Sequence, residues 1–302
     1  MTDSATIAAA DHLMRNWESP EPGGVRIGSE VHKQLFCRML LDTHNPYRPA
    51  KLDWPKLDDV ARARLLSLPI WDIAVQTEGR ASIRVKTFAA RITDSILRPA
   101  LELDAAEEAR HKDVLSHLVA AYGIKLQPEP NYPPPDDAEW AWLVTGFSEC
   151  IDSFFAFGLF EIARTSGYFP LELVDTFEPI IQEETRHIIF FANWVAWYRT
   201  NMPLRRRPWF LLKVLGVWAF LIYERIGIAR GFDDSGNAQD ANFAMTGAGS
   251  VGVDLAPLDL MALCLKENDR RMAGYDKRLL RPATVPALVR LALKVMQYKS
   301  KT

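Results

Sequence analysis

The chain carries the same five-residue word twice. Residues 107–111 (EEARH) and 183–187 (EETRH) both read E-E-x-R-H, and each lies in a segment with helical periodicity. At average amino-acid usage, on the order of one chain in a thousand of this length would contain one such word by chance. A glutamate and a histidine three positions apart lie on adjacent turns of one helix face. The repeat therefore predicts two helices that each present a Glu-x-x-His pair.

Apolar residues recur at spacings of three and four along most of the chain after residue 66, and prolines and glycines separate the periodic segments. Strand patterns are almost absent. Glu78 and Glu161 each interrupt an apolar helix face upstream of one copy of the word. The two halves therefore match as a helix with a glutamate followed by a helix with Glu-x-x-His. The periodicity predicts four long helices, over residues 66–97, 101–122, 138–165 and 171–198.

We expect a single all-α domain over residues 1–302. Its predicted parts are an N-terminal arm with a short helix (1–65), a four-helix bundle (66–200) and a C-terminal helical extension (201–302). Helical patterns in the extension cover residues 209–223, 258–277 and 286–298. The N-terminus lacks the basic start and apolar run of a signal peptide, which favours a cytoplasmic location.

Composition excludes several classes of protein. Hydrophobic residues make up 48% of the chain, and 36 basic against 38 acidic residues leave a formal charge of -2. These values exclude a disordered chain and a polybasic coat, so no nucleic-acid partner is expected. The three cysteines lie far apart without a CxxC pair, which excludes a disulfide framework and a thiolate metal site. The usage of Cys37, Cys150 and Cys264 therefore favours a reducing, cytosolic environment.

Four acids on apolar helix faces need a counter-charge. A buried carboxylate costs several kcal/mol unless it is paired or protonated, and two histidines cannot neutralise four carboxylates. Two divalent cations nearly can, because each Glu-x-x-His pair can direct a carboxylate and an imidazole at the same ion. The predicted ligands of two metal ions are Glu78, Glu108, His111, Glu161, Glu184 and His187, although Glu107 and Glu183, four residues before the histidines, could face inward as well.

The order Glu, Glu-x-x-His, Glu, Glu-x-x-His over about residues 66–200 resembles the ferritin-like di-iron carboxylate superfamily. That resemblance implies a ferritin-like four-helix bundle with additional N-terminal and C-terminal helices, and two iron ions held by the same six residues. The longer word is similar to the D-E-x-R-H element of bacterial multicomponent monooxygenases, with glutamate in the aspartate position. It implies that four flanking residues orient the ligand histidines of the opposing helix: Glu107, Arg110, Glu183 and Arg186.

The subfamily stays open. Leu115 stands where a ribonucleotide reductase small subunit carries a radical tyrosine, and Ile180 stands where arylamine N-oxygenases add a third histidine. Both departures make these two subfamilies poor matches.

These residues lead to the hypothesis of a di-iron oxidoreductase that activates dioxygen to hydroxylate, desaturate or N-oxygenate an organic substrate. The carboxylate-rich set without thiolates favours iron over zinc, while manganese or a mixed manganese–iron centre would use the same ligands. No flavin or nicotinamide fingerprint is present, so an external reductase must supply the electrons. Apolar side chains near the predicted ligands favour an apolar small-molecule substrate. The alternatives are a ferritin-like iron-binding or ferroxidase protein without an organic substrate, and a metal-free helical interaction protein.

Three further features have structural interpretations. Glu149 lies one position off the apolar face of its helix and is interpreted as a solvent or boundary acid. The apolar segment 209–223 is shorter than the roughly 20 residues of a membrane span and contains Lys213, so we interpret it as a buried fifth helix. Peripheral membrane contact through residues 205–229 and a homodimer stay open. The remaining histidines are interpreted as surface or structural residues: His12, His32, His44 and His117.

Overall fold

A computed structural model describes residues 12–47, 53–231 and 256–299, and every regular element in these ranges is helical. The expected all-α class is confirmed for this part of the chain. The helices are α1 (Glu30–Asp42), α2 (Asp59–Ser67), α3 (Trp71–Ala89), α4 (Leu97–Tyr122), α5 (Ala138–Thr165), α6 (Leu171–Asp175), α7 (Glu178–Asn201), α8 (Arg207–Gly231), α9 (Pro257–Met272) and α10 (Thr284–Lys299). A short 3₁₀ helix, Leu204–Arg206, precedes α8.

The first predicted helix, 66–97, is wrong in its bounds. Pro69 separates α2 from α3, and Leu68 has the extended backbone favoured before a proline, with φ -69° and ψ 120°. The C-terminal part of the predicted helix instead forms a turn, and α4 begins at residue 97 rather than 101. The Asp94 side chain accepts hydrogen bonds from the backbone N–H groups of Ile96 and Leu97, which satisfies donors at the start of α4.

The fourth predicted helix, 171–198, is also divided. The short α6 ends at Asp175, and the longer α7 begins at Glu178 with Pro179 in its first turn. A proline fits there because the first N–H groups of a helix have no partner within the helix. Helix α7 then continues to Asn201, so the second E-E-x-R-H word lies well inside it.

Helices α3, α4, α5 and α7 form the bundle, and α1 packs on α4 and α7. Aromatic rings fill one part of the core between them. The Trp142 ring stacks on Phe88 with centroids 5.7 Å apart and meets Phe191 edge-on at 5.3 Å. Such buried rings combine a large apolar area with specific geometry, so they fix the relative positions of α3, α5 and α7.

The C-terminal helices pack against α5. Helix α9 crosses α5 at Gly158, where an added Cβ would lie 2.4 Å from the Cys264 Sγ and 3.0 Å from its Cα. Only a residue without a side chain permits this approach of the two backbones. Helix α8 lies against another part of α5. Within the described residues, α5 is the helix long and apolar enough to cross a membrane, but it is largely a core helix here, which makes this weak evidence for a span.

Candidate metal centre

Acidic and imidazole side chains from α3, α4 and α7 meet in the interior of the bundle. One oxygen or nitrogen from each of Glu78, Glu108, His111 and Glu184 lies within 4.8 Å of the others. A second group with the same spacing consists of Asp104, Glu108 and His187. Glu108 belongs to both groups. The residues therefore form two adjoining sets of oxygen and nitrogen donors that share one carboxylate.

Both histidines direct Nδ1 at the acids. The His111 Nδ1 lies 3.1 Å from Glu184 Oε1 and 3.6 Å from Glu78 Oε2. The His187 Nδ1 lies 2.8 Å from Glu108 Oε1. The two imidazole rings are 5.7 Å apart between centroids, and both side chains are fully buried. This spacing places one imidazole beside each donor set.

The opposite nitrogen of each ring is held by the opposing helix. His111 Nε2 lies 2.9 Å from Glu183 Oε2, and His187 Nε2 lies 2.8 Å from Glu107 Oε2. A carboxylate only accepts hydrogen bonds, so in each neutral ring Nε2 carries the proton and donates it. The Nδ1 lone pair of both rings is then free to bind a cation, in the arrangement common at metal-bound histidines.

The two arginines of the repeated word hold these outer carboxylates. Arg186 donates to both oxygens of Glu107, at 3.1 and 3.0 Å, and to Thr43 Oγ1 at 2.7 Å. Arg110 donates to Glu183. Each word therefore supplies an arginine that binds the first glutamate of the other word. These two glutamates, Glu107 and Glu183, in turn contact the histidines of the opposing helix. Burial alone would raise the pKa of Glu107, but the charge of Arg186 and the hydrogen bond from His187 hold it well below its ordinary value.

The segment after α1 completes this outer layer, which sequence patterns did not show. The Tyr47 hydroxyl donates to Glu183 Oε2 at 3.2 Å, and the Arg110 guanidinium lies over the Tyr47 ring at 4.2 Å. His44 Nδ1 lies 2.8 Å from Glu107 Oε1. No periodic or motif signal could place this non-helical segment beside the bundle, because it is positioned by tertiary packing.

The structure does not bring Glu161 to the cluster, which corrects that expectation. Both of its carboxylate oxygens accept hydrogen bonds from Arg164 at 2.8 Å, and this pairing lowers its pKa. Glu161 lies twelve positions after Glu149, which corresponds to about 18 Å along a helix, so the two acids lie at different heights. Glu161 lies four residues before the end of α5, whereas Glu78, Glu108 and Glu184 are nearer the middle of their helices.

Glu149 takes the inward position on α5, so its interpretation as a solvent acid is wrong. Both carboxylate oxygens are buried and have no hydrogen-bond partner. Burial raises its pKa well above the ordinary value, and the charges of Glu108 and Glu184 raise it further. The sequence does carry a signal for this residue, since Glu149 lies nearer the middle of helix 138–165 than Glu161 does.

Asp104 is a second residue that sequence reasoning missed. It is fully buried, and neither carboxylate oxygen has a hydrogen-bond partner. Burial is the main cause that raises its pKa to about 6. Asp104 precedes Glu108 by four residues, so helical spacing places both on one face, and that spacing was readable from the sequence.

Several of these buried acids repel one another. Burial raises the pKa of Glu108 well above its ordinary value, and the neighbouring Glu184 raises it further. Buried polar atoms in folded proteins nearly always have a hydrogen-bond partner, and each atom without one carries a desolvation cost. The unpartnered oxygens of Asp104 and Glu149 therefore fit a site for cations.

A cavity of about 330 Å³ adjoins this cluster. Its lining includes Glu78, Glu108, His111, Glu149 and Glu184. The remaining walls are largely apolar and include Trp71, Phe160, Phe177 and Ile181, and the C-terminal part of α8 contributes Leu221, Glu224 and Arg225. An apolar chamber that opens on buried acids can hold a small organic molecule next to a reactive centre.

Comparison with known proteins gives no assignment: no protein-family model, curated protein or solved structure matches the chain.

Proposed function

We propose that this protein is a di-metal oxidoreductase, built on a ferritin-like bundle, that uses dioxygen to oxidise an apolar organic substrate. The observation that carries the proposal is the pair of donor sets sharing Glu108, each with an imidazole whose Nδ1 faces inward and whose Nε2 is fixed by a carboxylate. Local helix geometry supplies the pairs, and the outer carboxylates select the tautomer that can bind a metal.

The donor atoms divide between two cations. Glu78 and His111 would hold one ion, and Asp104 and His187 would hold the other. Glu108 belongs to both donor sets, and Glu184 Oε1 lies 3.1 Å from His111 Nδ1. Both glutamates would therefore supply further ligands. We add Glu149 as a ligand because its unpartnered oxygens are buried among the charges of Glu108 and Glu184.

Oxygen and imidazole donors without a thiolate favour iron or manganese over zinc. The three described cysteines are buried as free thiols and belong to neither donor set. Two Fe(II) ions held by these residues would supply two of the four electrons that reduction of dioxygen to water requires, and oxidation of the organic substrate would supply the other two. After oxidation, an external reductase would have to restore the ferrous state, as expected for a chain without a flavin or nicotinamide fingerprint.

The chain's own residues orient the donors, exclude water and hold the substrate. Glu107 and Glu183 keep the Nε2 protons of His187 and His111 in place, so neither ring can turn its protonated nitrogen inward. The apolar lining around Trp71, Phe160 and Phe177 would bind an apolar substrate and limit water at the acids. A ferroxidase that passes hydrated iron ions would be expected to have polar, acidic walls instead.

The test is an anaerobic titration of apo-protein with Fe(II), followed by exposure to dioxygen. We expect two Fe(II) per chain and oxygen consumption that stops when the bound iron is oxidised. Replacing His111 and His187 by alanine should abolish stoichiometric binding, whereas His117→Ala should not, since His117 is exposed and its Nδ1 contacts only the Asp113 carbonyl on α4.

Two results would contradict the proposal. A wild-type protein that binds no stoichiometric metal, with thermal stability unchanged by the two alanine substitutions, would leave a metal-free bundle. Continued oxygen consumption as Fe(II) is added well beyond two per chain, with accumulation of oxidised iron, would instead indicate the ferroxidase alternative.

A further inference from the structure

Helix α8 presents an apolar face to solvent. Between residues 208 and 223, the exposed side chains are Pro208, Trp209, Leu211, Leu212, Leu215, Ala219, Phe220, Ile222 and Tyr223. Trp209 is 73% exposed and Tyr223 is 76% exposed, so the face extends over the whole segment. The charged residue within it, Lys213, is turned away and pairs with Asp137 at 2.9 Å and Glu139 at 3.0 Å. A contiguous face of this kind marks an interaction site.

The opposite side of α8 is already used. Phe210, Val217 and Leu221 are buried in the main core, and the Trp218 ring lies 5.2 Å from that of Phe147 on α5. The expected fifth helix is thus buried on one side only. The exposed face therefore needs a partner that covers one side of a helix.

Basic side chains stand at one end of this face. Arg205 and Arg206 are exposed in the 3₁₀ helix that leads into α8, and the N-terminus of α8 adds the positive end of its helix dipole. No exposed acidic residue lies between residues 204 and 223. Trp209 and Tyr223 stand near the two ends, and both residue types favour the boundary between headgroups and acyl chains.

We propose that α8 docks this protein on the surface of an anionic lipid bilayer. Its apolar side chains would enter the boundary between headgroups and acyl chains, while Arg205 and Arg206 would bind anionic headgroups. A second copy of the chain would cover the apolar side chains but would bring no acid from the same face to these arginines. The charge pattern therefore favours lipid as the occupant.

The position of the cavity fits this docking. Leu221, Glu224 and Arg225, at the C-terminal part of the same helix, line the chamber beside the buried acids. Docking would bring that part of the cavity wall close to the membrane, where apolar molecules concentrate. The docking proposal itself does not depend on the metal, and it can be tested with apo-protein.

The test is co-flotation with vesicles of phosphatidylcholine alone or with added phosphatidylserine. We expect binding to the anionic vesicles and at least about tenfold weaker binding to the neutral ones. Arg205→Ala with Arg206→Ala should weaken binding to anionic vesicles about 25-fold, since each basic side chain near such a surface contributes about fivefold. Leu212→Gln with Leu215→Gln should weaken binding to both vesicle types by about tenfold or more.

A matched control lies on α10. Leu288 and Leu291 are 58% and 59% exposed, against 57% and 55% for Leu212 and Leu215. Leu288→Gln with Leu291→Gln should leave vesicle binding unchanged, and circular dichroism should show equal helicity in all variants. Absence of wild-type binding, or equal loss in the control, would overturn the proposal. So would a dimer in sedimentation velocity that dissociates in the Leu212/Leu215 variant without any vesicle binding, which would identify a second copy as the occupant.

Discussion

Replacing Glu149 by glutamine tests the most consequential difference between the predicted site and the observed one. Both carboxylate oxygens are buried without a hydrogen-bond partner. The substitution conserves volume, breaks no hydrogen bond and replaces a carboxyl group whose charged form is already disfavoured by burial and by the neighbouring Glu108 and Glu184. We therefore expect the apo-protein to unfold at the same free energy as wild type, or to gain about 1 kcal/mol.

Metal binding should change in the opposite direction. Loss of a residue that supports a metal ligand typically weakens affinity 10–100-fold, so loss of a ligand should cost about 100-fold. At a free metal concentration of about 1,000 times the wild-type Kd, binding stabilises the fold by about 4.1 kcal/mol. After a 100-fold loss the same concentration gives about 1.4 kcal/mol, a difference of about 2.7 kcal/mol. For 302 residues, 1 kcal/mol corresponds to about 1.6 °C, so the metal-induced rise in Tm should be about 4 °C smaller.

The assay is thermal unfolding of apo and Mn(II)-loaded protein, because Mn(II) uses the same ligands without reacting with oxygen. The matched control is Glu161→Gln, which loses only the ion pair with Arg164, a pair worth about 0.2–0.5 kcal/mol, and should keep the wild-type metal shift. The reasoning is refuted if Glu149→Gln keeps the wild-type shift, or if Glu161→Gln loses it.

Other substitutions test the outer layer and the packing. Arg186→Met should destabilise the protein by about 3–5 kcal/mol in urea unfolding, because it leaves Glu107 buried without its guanidinium partner; a loss below 1 kcal/mol would contradict this. Gly146→Ala should cost about 1–3 kcal/mol, since its Cβ would lie 2.2 Å from Phe191 Cδ2, whereas Gly24→Ala, with nothing within 4 Å, should be close to neutral. Native protein should not react with a thiol reagent at pH 8, whereas denaturant should expose three reactive thiols. The reason is that burial raises the pKa of Cys264 to about 11 and raises the pKa values of Cys37 and Cys150 above the ordinary value. Rapid labelling of native protein would show that one of these sites is open: Cys37, Cys150 or Cys264.

The limits of sequence reasoning are clearest on α5. The pattern correctly predicts a helix over residues 138–165 and an acid on it that faces the site. It indicates the wrong acid, Glu161, because that residue interrupts the apolar face of the helix. The apolar face covers the whole buried side of the helix, including the part that α9 covers near Gly158 and Cys264. An inward-facing acid must also lie at the height of its partners, and height depends on how the helices are packed against each other.

What the sequence by itself determined is local. The spacing of Glu108 and His111, and of Glu184 and His187, follows from the helical repeat, as does the helical class of the described chain. Only the tertiary structure decided three things: the exchange of arginines between the two words, the choice of Asp104 and Glu149 rather than Glu161 among the acids at suitable spacing, and the exposed side of α8. Each depends on the relative height and rotation of separate helices. Those are set by packing between distant residues, which a periodic pattern within one helix does not encode.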